Sequence, residues 1–366
     1  MKNLGISVYP QKASLEDNLH YIEKASSLGF NRLFVALLGV EASKEAILKD
    51  YAPITLRAKE LGYEVSCDIW PDILNKVCGA GSFGNYDLSF FKEIGISTLR
   101  LDMGFSEIEE AIFSKNQAGI NLELNMSFPI DHVGNLLKSG GERSRISGCH
   151  NYYPHRYTGL SLKFFEECNA IWEPYHLNTA AFISTQSTEK SGPWPICDGL
   201  PTLEIHRDLP IEVQLKHYIA MGFIDDVYIG DSFASEQEMK RLSELDKNTL
   251  SFRANLVDDI EGLEKILAMK FSRRPDSNDF MIRTLESRFL LSRNDIPPFN
   301  TIDIKRGDIL LENNDYGQYK GEIQIALKPM RNSGRTNVIG HLSPDEDFLL
   351  DYVKPGQEFC FEVIKK

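Results

Sequence analysis

Two short stretches concentrate side chains able to do chemistry. The first reads Cys149-His150-Asn151-Tyr152-Tyr153-Pro154-His155-Arg156-Tyr157-Thr158-Gly159-Leu160-Ser161, a run of hydrogen-bonding and aromatic groups. Arg156 suits a charge-assisted bond to a phosphate, and a helix opened by Thr158, Gly159 and Ser161 would aim free N–H groups at the same anion. Helix capping by Thr158 is the plainer use of that residue. The second stretch is Gly192-Pro193-Trp194-Pro195 followed by Leu200-Pro201-Thr202-Leu203-Glu204-Ile205-His206-Arg207. Trp194 offers a face to a sugar ring or packs beneath a lid, and Arg207 offers a second cation to an anion.

These stretches must be held by regular elements, and the chain supplies a repeating pattern of them. Short β-rich runs occur at Leu4 to Tyr9, Arg32 to Leu38, Glu64 to Ile69, Thr98 to Met103, Asn121 to Ser127, Ser147 to Pro154, Leu177 to Thr185 and Asp225 to Asp231. Between them lie helical periods, such as Ser14 to Leu28 and Ser43 to Leu61, and Gly29, Gly62 and Gly222 sit where a left-handed cap would end a helix. Eight βα units in about 245 residues match the size of an α/β (β/α)8 TIM barrel. After the helical run Ser235 to Leu245 the pattern changes to short strands, including Asp308 to Leu311, Glu322 to Leu327 and Phe359 to Ile364. The expected division is therefore a barrel over 1–247 and a small β-rich domain over 248–366.

Strand parity then says what fills the barrel, because alternate side chains face opposite sides of a strand. Leu99, Leu101 and Met103 face the helices, which turns Arg100 and Asp102 inward. Leu122, Leu124 and Met126 likewise send Glu123 and Asn125 inward, and Val65, Cys67 and Ile69 leave Glu64, Ser66, Asp68 and Trp70 inside. The first strand turns Ser7 and Tyr9 inward. Buried charges are costly without partners or a task. Arg100 and Glu123, deep on neighbouring strands, are expected to form a structural ion pair. Asp68, Asp102 and Asn125 lie where barrel enzymes keep their active sites, at the C-terminal strand ends.

Composition narrows the partners. A net charge of −13 argues against nucleic acid, whose phosphates are held by basic stripes, yet leaves room for a small anion met by a few local arginines. The longest apolar runs are strand-sized, well short of the roughly 20 residues of a membrane span. The opening residues lack the basic start and apolar core of a signal peptide, so a cytoplasmic location is expected. Cys67, Cys78, Cys149, Cys168, Cys197 and Cys360 are scattered, with no spacing that suggests zinc or a redox pair. No metal is expected.

The residues already singled out also carry a family resemblance. His150 to Pro154, Arg156 to Ser161, Gly192 to Pro195, Gly199 to Glu204 and His206-Arg207, continued by Asp225-Asp226-Val227, Arg306-Gly307-Asp308 and Tyr316 to Gly321, resemble the 6-phospho-N-acetylmuramidase family across nearly the whole chain. The resemblance implies a TIM barrel with a cyclophilin-like β domain and no cofactor. It implies intracellular hydrolysis of the β-1,4 bond joining N-acetylmuramic acid 6-phosphate to N-acetylglucosamine, during cell-wall recycling. In the family pattern Glu often stands at the position of Asp198 and Asn at that of Asp231, so neither receives an invariant role.

Glycosidic cleavage uses one carboxylic acid to protonate the leaving oxygen and a second carboxylate as nucleophile or base. The candidates are Asp102 and Asp68 near the reacting carbon and Glu204 as alternative acid, with Glu41 in reserve. A route in which the substrate's 2-acetamido oxygen attacks and Asp102 only orients it stays open. Tyr9, Asn125, His150, Asn151, His155, Arg156, Thr158, Trp194 and Arg207 form the candidate substrate-binding set, with Arg156, His155 and Arg207 facing the phosphate and lactyl carboxylate. Two rivals are a barrel isomerase or aldolase acting on a sugar phosphate and a non-catalytic peptide binder working through the β domain. The aldolase reading suffers from the lack of Lys at the inward positions named above.

Overall fold

The computed structural model describes residues 3–37, 43–79, 84–101, 104–196, 198–257 and 263–364. Asp102 and Glu41 lie outside the described residues. Two compact units are present, one of Met1–Leu215 and Phe223–Leu245, the other of Lys216–Gly222 and Asp246–Lys366.

The first unit is a closed parallel barrel of eight strands in sequence order. They are β1 (Asn3–Val8), β2 (Arg32–Leu37), β3 (Glu64–Ile69), β4 (Thr98–Leu101), β5 (Asn121–Asn125), β6 (Ile146–Cys149), β7 (Thr179–Ile183) and β8 (Asp226–Ile229). Closure comes from β8 pairing with β1, with Asn3 opposite Asp226 and Ile6 opposite Ile229. The apolar parity packs outward as expected: Val65, Cys67, Ile69, Leu99, Leu101, Leu122 and Leu124 are all buried.

The barrel interior is divided by chemistry. On the β1, β2, β6, β7 and β8 side, Tyr9, Phe34, Ala36, Cys149, Ala180, Phe182 and Tyr228 form a core cluster. Phe34 meets Phe182 edge to face at 5.1 Å and Tyr228 at 5.9 Å, a favourable arrangement for aromatic quadrupoles. On the other side, β3, β4 and β5 carry Asp68, Arg100 and Glu123 in register, Asp68 opposite Arg100 and Arg100 opposite Glu123. The aromatic half is packed core and the charged half leads to the strand ends.

Local signals explain several boundaries. Ser14 caps the helix Leu15–Ser27 by accepting from Asp17 N at 3.1 Å, and Gly29, Gly62 and Gly222 all take positive φ. The expected single helix Ser43 to Leu61 is two, Lys44–Asp50 and Ala52–Glu60, broken at Tyr51. Pro53 has no N–H for an intrahelical bond and is tolerated only in a first turn, so the second helix starts just before it. The expected sixth strand, Ser147 to Pro154, ends at Cys149. Beyond that point the chain turns to the loop after β7, with Tyr153 N donating to Pro201 O at 3.1 Å.

The second unit carries a seven-stranded sheet in the order β10-β15-β9-β14-β12-β13-β11. Its strands are β9 (Leu250–Leu256), β10 (Phe271–Ser272), β11 (Met281–Arg283), β12 (Asp308–Glu312), β13 (Ile323–Ala326), β14 (Thr336–Leu342) and β15 (Glu358–Val363). Within this unit Lys216 Nζ, 1% exposed, bonds Glu346 at 2.8 Å, and Glu346 also accepts from Arg253 Nε at 3.0 Å. Each of these three charges is met by an opposite one.

Candidate active site

The C-terminal strand ends of the barrel bring together part of the expected site. Asp68, at the end of β3, is buried and accepts from Arg100 Nη1 at 3.2 Å. Arg100 Nη2 donates to Asn151 Oδ1. The ion pair of Arg100 thus runs to Asp68, while Glu123, its expected partner, accepts from Ser66 Oγ at 3.0 Å. Burial pushes the Glu123 carboxyl up to about 7, against the opposing pull of Arg100 and Ser66. Both carboxylates flank one guanidinium, and the one nearer the strand ends makes the direct pair.

Asn151 is fixed from behind. Its N–H donates to Ser127 Oγ at 2.9 Å, Ser127 Oγ lies 3.3 Å from His150 Nδ1, and His150 Nε2 lies 2.8 Å from Asn169 Oδ1. Since Asn169 Oδ1 can only accept, Nε2 of His150 carries the proton and Nδ1 accepts from Ser127. Burial lowers the imidazole to about 4, so the ring is neutral at physiological pH. Asn125 Oδ1 accepts from Ser127 N at 2.8 Å and closes the turn after β5. His150 is fully buried and stacked near Phe165 at 4.5 Å. This places it as a support beneath Asn151 instead of a residue on the cavity wall.

A second cluster lies in the loops after β6 and β7. Arg207, 2% exposed, donates from Nε and Nη2 to the two oxygens of Glu204, both at 2.7 Å. Its Nη1 reaches the carbonyls of Asp198 and Gly199, and Nη2 those of Tyr153 and His155, at 3.0 to 3.3 Å. Glu204 also accepts from Tyr157 N at 2.7 Å and Gly159 N at 2.8 Å. The Arg207 guanidinium, helped by these N–H groups, holds the Glu204 carboxyl down at about 2. A Cβ on Gly159 would lie 2.6 Å from Glu204 Oε2, so only glycine lets the carboxylate approach.

The remaining expected residues separate into core and rim. Tyr9 is buried, and its hydroxyl donates to Gly230 O at 2.7 Å. Thr158 does not open a helix: its hydroxyl donates to His155 O at 2.6 Å, and the helix Leu162–Trp172 is capped by Ser161. In place of the expected helix start, Thr158-Gly159 follows a tight turn closed by Thr158 N on His155 O at 3.2 Å, and Gly159 N already belongs to Glu204. Arg156 lies at the rim, bonded to both oxygens of Asp208 at 2.6 and 2.9 Å, which raises its already high pKa. His155 is exposed and donates from Nδ1 to Arg156 O at 2.6 Å, leaving Nε2 for a ligand. Trp194 is 36% exposed. Asp231, given no role above, is buried at the end of β8, accepts from Ser184 Oγ at 2.7 Å and Thr185 N at 3.2 Å, and is pushed up to about 6 by burial. It ties the root of the loop after β7 to β8. Its signal in the sequence was only its position one residue past Gly230.

A closed (β/α)8 barrel with a buried acid and arginine paired at its C-terminal strand ends has the architecture on which barrel enzymes build their sites. The chain belongs to the 6-phospho-N-acetylmuramidase family, its residues 4–244 matching the N-terminal family model and 250–362 the C-terminal one. This makes it a 6-phospho-N-acetylmuramidase-type glycoside hydrolase. Among solved structures, an uncharacterized B. cereus protein is 38% identical with a TM-score of 0.90, over 99% of this chain and 100% of that one. A conserved protein of unknown function from Enterococcus faecalis is 26% identical with a TM-score of 0.72, over 99% and 96%. A putative alpha-galactosidase from Bacteroides fragilis, 11% identical with a TM-score of 0.50 over 90% and 77%, shares the fold alone. No curated protein matches the chain. Among the described residues no helix is long and apolar enough to cross a membrane, and no group of three His, Cys, Asp or Glu is placed to hold a metal ion.

Proposed function

We propose that the protein hydrolyses the β-1,4 bond between N-acetylmuramic acid 6-phosphate and N-acetylglucosamine, inside the cell, in the recycling of cell wall. The observation that carries this reading, beside family membership, is the Asp68–Arg100–Asn151 array at the strand ends with the hydrogen-bonding groups of His155 and Arg156 at the rim of an otherwise acidic chain. Asp68 and Asp102 act at the anomeric carbon. The position of Asp102 rests on its parity with Arg100. Glu204 is a poor acid, because a carboxyl held at about 2 rarely carries the proton a leaving oxygen needs. Arg207 has all its N–H groups engaged, so it braces the loops and leaves the anionic groups of the substrate to Arg156 and His155. Phosphate would share Arg156 with Asp208, which stays bonded to it.

The test is release of amino sugar from the phosphorylated disaccharide, its unphosphorylated form and a generic chromogenic glucosaminide. Strong preference for the first is expected, and Arg156→Ala should impair the phosphorylated substrate far more than the plain one. Equal cleavage of all three by the wild-type enzyme would remove the phosphate from the reading.

A further inference from the structure

Tyr157 is the most exposed large hydrophobic residue of the barrel unit among those described, at 83%, and it takes a left-handed backbone with φ of 68°. A non-glycine residue is strained there, so the surroundings must hold it. They do so by a nest: Tyr157 N and Gly159 N both donate to Glu204, which Arg207 fixes in turn. The ring is supported on one side as well. The Arg156 guanidinium lies over it at 5.9 Å from the centroid, and Asp208 holds that guanidinium with two hydrogen bonds.

We propose that Tyr157 is a preorganised platform on which the outer sugar of the substrate, the leaving N-acetylglucosamine ring, stacks through its C–H face. This rests on the function proposed above. The reacting ring has to sit by Asp68 at the strand ends, and Tyr157 lies six residues beyond Asn151 on the segment leading out to the rim. A flat aromatic face, one side backed by a held cation and the other open, matches the apolar face of a pyranose. The strain, the nest and the engaged buried arginine then have a common purpose, which is to keep an exposed ring in one place and so lower the ordering cost of binding.

The test compares wild type with Tyr157→Gly, which suits the left-handed backbone, and Tyr157→Trp, which restores a ring. For the phosphorylated disaccharide, Tyr157→Gly should raise KM about five- to tenfold, with an unchanged or higher Tm, and Tyr157→Trp should recover most of the loss. The methyl glycoside of N-acetylmuramic acid 6-phosphate, which has no second ring, should inhibit all three proteins with the same Ki. A disaccharide KM within twofold of wild type in Tyr157→Gly overturns the platform and leaves the proposed activity standing. An equal loss for the methyl glycoside also overturns it, since Tyr157 would then serve the other ring or the loop. If the wild-type protein neither cleaves nor binds the disaccharide, the proposed activity fails and the platform fails with it.

Discussion

The strand-end array and the loop knot beside it are built from the same residue types, a buried arginine against a carboxylate, and they are assembled differently. In the array, Arg100 is met by side chains, Asp68 and Asn151, each carried on its own strand end or loop. In the knot, Arg207 is met by one side chain and four main-chain carbonyls, and its carboxylate partner is filled by two main-chain N–H groups. Main-chain partners cannot turn aside for a ligand, so the knot is closed to substrate and fixes loops. Side-chain partners can exchange, so the array is able to respond to charge developing on a substrate. Burial alone does not separate a site from a brace. The identity of the partners does.

The largest expected effect comes from the array. Asp68→Asn keeps shape and hydrogen bonding while removing the charge, and it should lower kcat by about a hundredfold or more, read by amino-sugar release. Its Tm should fall modestly, because Arg100 keeps Asn151 and its proximity to Glu123. Near-normal turnover in folded Asp68→Asn would make the array a second brace and end the contrast.

Glu204→Gln should show the reverse balance. It leaves the buried Arg207 without its anion, costing about 2–3 kcal/mol after allowance for a carboxylate that is 25% exposed, while kcat in the folded fraction stays near that of wild type. The pH dependence has a definite sign. A carboxyl held at about 2 instead of its ordinary 4.5 stabilises the fold fully above pH 4.5, and that contribution is lost as pH falls towards 2. Thermal melts from pH 6 downward should therefore bring wild type and Glu204→Gln together at the acid end. A constant gap would mean that Glu204 is not held as described.

Much of the barrel is legible in the sequence because strand parity is a strong constraint. Asp68, Arg100 and Glu123 are all buried in the interior, as the outward apolar series Val65-Cys67-Ile69, Leu99-Leu101 and Leu122-Leu124 requires. Parity cannot say which of two neighbouring carboxylates an arginine will choose, since β3 and β5 flank β4 alike. The loop residues were harder for a different reason. Arg207 looked like a free cation because its partners at Tyr153, His155, Asp198 and Gly199 are carbonyls, which every residue has and no side-chain pattern reveals. Thr158 looked like a helix cap because Ser161, three residues on, has the same chemistry and takes the role.

The smallest expected effect tests the deep end of the array. Glu123 is pushed up to about 7 by burial, so from pH 4.5 to 7 the unfolded chain has released a proton that the folded chain retains. Stability from this group is therefore full below about 4.5 and is lost as pH rises through about 7, opposite in sign to Glu204. Glu123→Gln removes that slope while preserving the hydrogen bond to Ser66, whose hydroxyl can still donate to the amide oxygen. The variant should gain on wild type between pH 5 and pH 8, matching or exceeding its Tm at the higher pH. Its turnover should change little at pH 6, where wild-type Glu123 is mostly neutral, and differ most above pH 7, where ionised Glu123 competes with Asp68 for Arg100. If the Tm difference is the same at pH 5 and pH 8, Glu123 does not titrate in this range. Arg100 would then be shared by two permanent carboxylates, and the array would resemble the knot more closely than its side-chain partners suggest.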